Sequence, residues 1–581
     1  MPISEVLSKF DTVEYKGFDS YSVIGALSAL DEEVKNNSIY DFEILAFSLV
    51  PSNHNNNWGT YYGPQMTYED ADNNIIEVPA LNDITLDAMS YWEQRYKTTL
   101  NPLLTMTYAG LVWDFKQNIF HQKCDSVLYR TYVDSMLKVC KEDYASHPTI
   151  TCNVLERLFH VAKNQSSDLQ LVKEAYIDFE KKHAEDNAVR YWSSRFLIML
   201  NNKKFFDKGE IEAIVQEHEQ RLNRMCIPVN GKLNPWSIES QAVLLADYYK
   251  SHQQREEIKR VLNCLECSFM HEADNMSYLQ LLGNLENLHA KYRHYSLEDE
   301  AQRLSVELQR LGAKAKSEAQ SHKIEIAIPP VLRQQAKSMF GSDVEEDNLR
   351  FGNFAVYFIP NKANLQASLE EQVKKFPLNF MISNKLLDTK GRPMSSIGSY
   401  EKDPEGHLVM HMTQSMTINA IFLDMAIQEM QSCGGLTTDK IMNELVQNSP
   451  VFEEERYAII RKSLDFFFEK DFISFCHLIV PQIENAICNL VSLSGASVLR
   501  PQRNATGFQL KTLDELLRDE SVVYALKEDG AYYLRLVLTD QRALNIRNSL
   551  CHGILPPESF DASAANRLLH VLVLLGLIRY E

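Results

Sequence analysis

From about residue 150 to residue 320 the chain reads as one amphipathic helical segment after another, and this series constrains the fold more than any other feature. Apolar residues recur every three or four positions over 152–164, 166–183, 187–201, 209–225, 236–250, 252–271, 275–292 and 296–318. That spacing lays an apolar stripe along one face of a helix. A stripe is stable only when covered by another, so the segments predict an α-α-hairpin stack or irregular helical array. No fixed period relates them, so no named repeat is expected. With only 21 glycines and 19 prolines in 581 residues, there is little to break helices, and a mainly α fold follows.

Before the array, residues 1 to about 60 mix short apolar stretches with polar turns, ending in the loop-like run Asn53-His54-Asn55-Asn56-Asn57. A Tyr-, Asp- and Asn-rich stretch to about Ala80 is also expected to be loop. Helical spacing then starts with Leu86, Met89, Trp92 and Tyr96 and resumes with Leu103, Leu104, Tyr108, Leu111 and Phe115. Asn101-Pro102 marks the break, with Pro102 in a first turn. Trp92, Tyr108 and Trp113 could form a stacking platform for bases, but aromatics at this spacing fit a core better.

After the array, Ile324, Ile326 and Ile328 alternate with other residues before Pro329-Pro330, which predicts a short strand or extended linker. Phe354 to Pro360 reads as a second β-like run, and turns are expected at Asp388–Pro393 and Asp403–Gly406. Helix returns over His411–Met430 and Thr438–Asn448. The organisation expected is a mostly helical domain at 1–150, a helical array at 151–320, an irregular linking region with short strands and helices at 321–450, and a four- or five-helix bundle at 451–581.

The formal net charge of −19 argues against indiscriminate adhesion to nucleic acid or anionic membranes, and a nucleic-acid enzyme would have to concentrate its positive residues locally. Ten scattered cysteines and an N-terminus without an apolar run predict a reduced, cytoplasmic protein. The longest apolar run, Leu568–Ile578, is too short to span a bilayer. Cys264-Leu265-Glu266-Cys267 with His271 invites a zinc reading. There is no second cysteine pair nearby, and an i, i+3 pair on a helix simply faces a core, so no metal or other cofactor is expected.

The chemistry concentrates in the last 130 residues. Expected helices run Glu454 to about Lys470, Phe472 to about Leu493 with Pro481 as a kink, Leu513–Leu517 behind a Thr512/Glu515 capping box, Tyr532–Cys551, and Ala562–Ile578. A polar loop is expected over Arg500–Gly507. Arg547-Asn548-Ser549-Leu550-Cys551-His552-Gly553 ends the penultimate helix. Arg and His five apart would arise roughly once by chance in a chain this long, yet it occurs only here, with Asn after the Arg and Gly after the His. Asn545-Ile546 leads into it, and Pro481-Gln482-Ile483-Glu484 and Thr512–Leu517 lie upstream. With the bundle around it, this C-terminal region resembles the HEPN superfamily of ribonucleases, most of all a bacterial domain of unknown function with an Arg-Asn-x-x-x-His-Gly signature.

The resemblance implies metal-independent RNA cleavage by a dimer, with possible substrates including tRNA, and a role as a toxin or abortive-infection effector in antiphage defence. The residue types suit that chemistry. His552 has an ordinary pKa near neutrality for proton transfer, and Arg547 is a fork-shaped donor for phosphoryl oxygen. Asn548 either hydrogen-bonds phosphate or fixes the His552 tautomer, and Glu484 is a candidate partner for Arg547 or His552. Five residues on an ideal helix span about 140°, so one helix presents the Arg–His pair poorly and two copies across a two-fold would complete the cleft. The alternative is a non-catalytic scaffold whose bundle dimerises or binds nucleotide. A ribonuclease requires Arg500, Arg503, Lys511, Arg518, Arg535, Arg542 and Arg547 to converge around His552. A scaffold leaves them dispersed.

Overall fold

The computed structural model describes residues 2–52, 56–69, 74–202, 205–318, 329–388, 390–502 and 506–580. The protein is mainly α, and the only sheets among the described residues are four two-stranded antiparallel ones. It divides into two compact units, Met1–Asn275 with Lys291–Leu297, and Met276–Ala290 with Glu298–Glu581.

In the first unit the array helices appear close to where the periodicity puts them, including Ser166–His183, Lys208–Met225, Pro235–Ser251 and Arg255–His271. Their starts follow local chemistry. Pro102 and Pro235 stand in the first turn, where no backbone donor is needed, behind Asn101 and Asn234 side chains that accept the free N–H groups of Leu103 and Ser237. The first 50 residues are more ordered than their composition suggests, forming helices Ile3–Phe10, Ser20–Ser28 and Ser38–Ser48. The stretch expected to be loop to Ala80 contains paired strands Met66–Glu69 and Ile75–Val78. Trp92 and Tyr108 are fully buried, and Trp113 is half-buried against the Tyr129 ring, so the aromatic stripe is core. Buried Glu43 gathers it by accepting from Tyr91 and Tyr108, both at 2.6 Å, beside Arg95 at 3.1 Å.

In the second unit, the segment expected to be an irregular link contributes helices Pro330–Phe340, Asp347–Tyr357 and Lys362–Lys375. The β-like run at Phe354 is therefore helical as far as Tyr357. Its aromatics sit at i, i+4 spacing: Phe354 and Phe358 are buried, their rings 5.6 Å apart, and both pack against His570. The alternation at Ile324–Ile328 lies outside the described residues. The turn at Asp388–Pro393 does connect two strands, Asn384–Leu387 and Pro393–Ile397, whereas Asp403 caps the long helix Pro404–Ser432. One continuous apolar core runs from Ala336 to Leu575, so residues expected to form two domains share an interior.

His570 shows how. Its Nδ1 accepts from the Tyr533 hydroxyl at 2.8 Å, and its Nε2 points at the carbonyls of Phe354 and Ala355 at 3.2 and 3.1 Å. That assigns the proton to Nε2. Burial pushes the imidazole down to about 3, so it stays a neutral hydrogen-bonding bridge between helices. The bundle helices Phe472–Leu493, Leu513–Leu517 and Ala562–Gly576 match expectation closely, with the Thr512/Glu515 capping box present. The loop expected at Arg500–Gly507 begins within a strand, Leu499–Pro501, which pairs with Phe508–Leu510 just after it.

Candidate functional site

The helix expected from Tyr532 to Cys551 is two separate helices. The first, Glu520–Leu538, bends at Lys527, where the backbone is non-helical. It ends because Thr539 leaves helical geometry and the Asp540 carboxylate turns back to accept the Arg542 N–H at 2.9 Å. Asn545 then adopts φ +50°, a left-handed conformation that asparagine tolerates better than most residues. Only after it does the short helix Ile546–Cys551 begin. Uniform apolar periodicity hid this break, because Leu536, Leu538 and Ile546 are all core-facing. The Asp540 and Asn545 turn chemistry was the legible signal.

The short helix ends as the sequence predicts. Gly553 has φ +62°, the Gly553 N–H donates to Leu550 O at 3.0 Å, and the Ile554 N–H donates to Ser549 O at 2.8 Å. These are the two bonds of a Schellman stop. His552 is therefore the C-terminal cap, and its ring is exposed. No hydrogen bond or ion pair reaches that ring among the described residues.

Arg547 is held from three sides. Its Nε and Nη2 donate to the two carboxylate oxygens of Glu484, each at 2.9 Å, and its Nη1 donates to Asn548 Oδ1 at 3.0 Å. Glu484 projects from helix Phe472–Leu493, so the bond ties the short helix to the bundle across 63 residues. Both side chains are about three-quarters buried, with 25% and 28% exposure. Burial alone would lower the guanidinium pKa; the Glu484 carboxylate more than offsets this and holds it above the ordinary value. The Asn548 amide donates to Thr539 O at 3.1 Å and to Asn545 Oδ1 at 2.9 Å. It therefore braces the turn that starts the short helix, while only its backbone carbonyl meets the His552 N–H.

The structure thus brings Glu484, Arg547 and Asn548 together and leaves the His552 ring at the far end of the same short helix. Thr539 and Asn545 complete the bracing. The other positive residues do not form an open patch. Arg500 pairs with Glu515 at 2.7 Å, Arg518 with Asp514 at 2.8 Å, and Arg542 with Asp540 at 2.9 Å. Lys511 stands 3.5 Å from Asp519, and buried Arg535 3.6 Å from Asp514. Arg503 lies outside the described residues. Each of these cations is answered by a carboxylate, which cancels most of its field beyond contact range.

Elsewhere, Cys264 and Cys267 share helix Arg255–His271, and His271 lies 3.0 Å from Glu272. Among the described residues, no group of three or more His, Cys, Asp or Glu is placed to hold a metal ion, and no helix is long and apolar enough to cross a membrane. Compared with known proteins, the chain matches no family model, no curated protein and no solved structure.

Proposed function

We propose that this protein is a metal-independent RNA endonuclease whose site comprises Arg547, Asn548 and His552, with Glu484 positioning the arginine. One observation carries the reading: an arginine clamped by a two-pronged carboxylate and a solvent-exposed histidine occupy the two ends of one six-residue helix on a helical bundle. The resemblance of this segment to HEPN ribonucleases supports the assignment. In this chemistry the 2′-oxygen attacks phosphorus and the bond to the 5′-oxygen breaks, leaving a 2′,3′-cyclic phosphate and a 5′-hydroxyl. His552 of one copy takes the 2′-hydroxyl proton, and His552 of a second copy protonates the leaving oxygen. Arg547 stabilises the charge on the phosphorane. The reading therefore includes a homodimer through the C-terminal bundle, and a toxic or antiphage role in the cell.

A second reading, a non-catalytic scaffold whose bundle dimerises or binds nucleotide, is favoured by one specific finding. The described positive side chains among those a ribonuclease would gather, Arg500, Lys511, Arg518, Arg535, Arg542 and Arg547, are paired with carboxylates rather than presented to a ligand.

The decisive experiment incubates total RNA with the full-length protein in EDTA, alongside His552→Ala and Arg547→Ala. The nuclease reading expects discrete products ending in 2′,3′-cyclic phosphate, at least about a hundredfold fewer with either variant. A folded, dimeric wild type that leaves RNA intact and is no more toxic to cells than His552→Ala, with or without phage, would establish the scaffold instead.

A further inference from the structure

The first unit contains a cavity of about 260 Å³ that the proposed ribonuclease chemistry does not use. Its wall is mainly apolar and aromatic, with Phe18, Phe47, Tyr61, Tyr62 and Tyr132 among the lining residues, and Arg157 completes it. That volume is just below the usual range for small-molecule sites, about 300–1,000 Å³, and suits a compound of one or two rings.

Arg157 gives the cavity a chemistry. It lies on helix Pro148–Ala162 and is only 8% exposed, yet one hydrogen bond serves it: its Nε donates to the Tyr132 hydroxyl at 3.3 Å. Neither Nη group makes a hydrogen bond among the described residues. The neighbouring carboxylate does not supply one. Asp114 stands 3.8 Å from Nη2, and its two oxygens already accept from the Tyr62 N–H and the Asn118 amide, both at 2.8 Å. The Tyr61 ring sits against the guanidinium, with its centroid 4.0 Å away, which favours keeping the cation in place. The side chain is largely buried, but its terminal donors are not sealed from solvent and, having no protein hydrogen bond, are open to a ligand. Here those donors belong to a residue that lines an aromatic cavity. Gly110 helps form the site, since a side chain there would collide with Tyr62 and Tyr132.

We infer that this cavity is a binding site for a small planar aromatic molecule presenting two adjacent hydrogen-bond acceptors to the Nη edge of Arg157. The rings supply stacking surfaces, and the paired donors supply orientation and selectivity. Two kinds of compound carry that pattern: a heterocycle with neighbouring carbonyl oxygen and ring nitrogen, or an aromatic carboxylate. Asp114 already balances the arginine's charge, so the neutral heterocycle is the better fit, because a carboxylate would bring an uncompensated negative charge into a buried site.

Titration calorimetry of the full-length protein with hypoxanthine, adenine and benzoate tests this. Hypoxanthine presents adjacent acceptors and should bind saturably. Adenine turns an amino donor toward the arginine at the same position and should bind at least tenfold more weakly. Saturable benzoate binding lost on Arg157→Met would support the acceptor-pair site with a carboxylate as its ligand. Arg157→Met should weaken the bound probe at least tenfold. Met106→Trp, which fills the cavity from its wall, should abolish binding in a protein whose unliganded circular dichroism matches wild type. The inference is overturned if neither hypoxanthine nor benzoate binds up to millimolar concentration, if adenine equals hypoxanthine, or if Met106→Trp binds like wild type.

Discussion

Arg547 and Arg157 solve opposite problems. Arg547 sits on a short surface helix with three hydrogen bonds, two of them to one carboxylate. Arg157 lies in the interior of the first unit with one hydrogen bond and a carboxylate just out of reach. In a buried setting a guanidinium normally collects partners, so here the more exposed arginine is satisfied and the more buried one is not. A sequence pattern can mark an arginine whose partners are other residues of the chain, Asn548 next to it and Glu484 63 residues away. It says nothing about the arginine left open for something absent from the chain.

The largest effect that would sharpen this contrast comes from Arg547→Lys. Lysine keeps the charge but loses the planar fork, so RNA cleavage should fall at least about tenfold; full cleavage by this variant would detach the two-pronged contact from the chemistry. Next is Asn548→Ala, which removes the brace between Thr539 and Asn545. Urea unfolding should show a loss of about 1–2 kcal/mol. If cleavage per folded molecule is unchanged as well, Asn548 acts on the turn and not on phosphate. Smaller still is the pair itself. A double-mutant cycle on Glu484→Ala and Arg547→Ala should give a coupling of about 0.5–1 kcal/mol, shrinking in molar salt. A coupling near zero at low salt would mean that the two-pronged contact does not stabilise Arg547.

The smallest effect extends the comparison to thiols. A hydrogen bond from Cys226 is the main cause that holds the Cys264 thiol down to about 7, against the effect of burial. Alkylation of Cys264, followed by peptide mass spectrometry, should therefore persist to lower pH than for an ordinary thiol and decline as the thiolate is protonated. Cys226→Ala should move that decline to higher pH; an unmoved decline would show that the neighbour contributes nothing.

How much was legible follows from where the physical signals lie. The array helices, the Pro102 start, the Thr512 cap and the Gly553 stop are written in residues within one turn of the features they make, and each is where the sequence implies. The helix at Phe354 was not legible as one, because Phe354-Ala355-Val356-Tyr357-Phe358-Ile359 is rich in β-favouring types; packing against His570, more than two hundred residues away, decides it. The shared core of 336–575 escaped for the same reason. At the site, Glu484 was visible only as a candidate partner for either Arg547 or His552, and its contact with Arg547 depends on two helices meeting. The break between Leu538 and Ile546 was signalled by Asp540 and Asn545 but masked by continuous apolar spacing. Arg157 carried no local signal at all.

The Glu484–Arg547 pair has a consequence best put as an equilibrium between rivals. Glu484 is a tethered anion, permanently at high local concentration, occupying the Nε edge of the arginine. Any phosphate that approaches through that edge must displace it, and so binds only to the fraction of molecules in which the pair has parted. A pair worth about 0.5–1 kcal/mol weakens such a ligand by roughly three- to sixfold. In the proposed reaction Glu484 would thus raise the threshold: weakly held anions such as free phosphate would be disfavoured a few-fold, while a ligand with further contacts of its own could take the arginine.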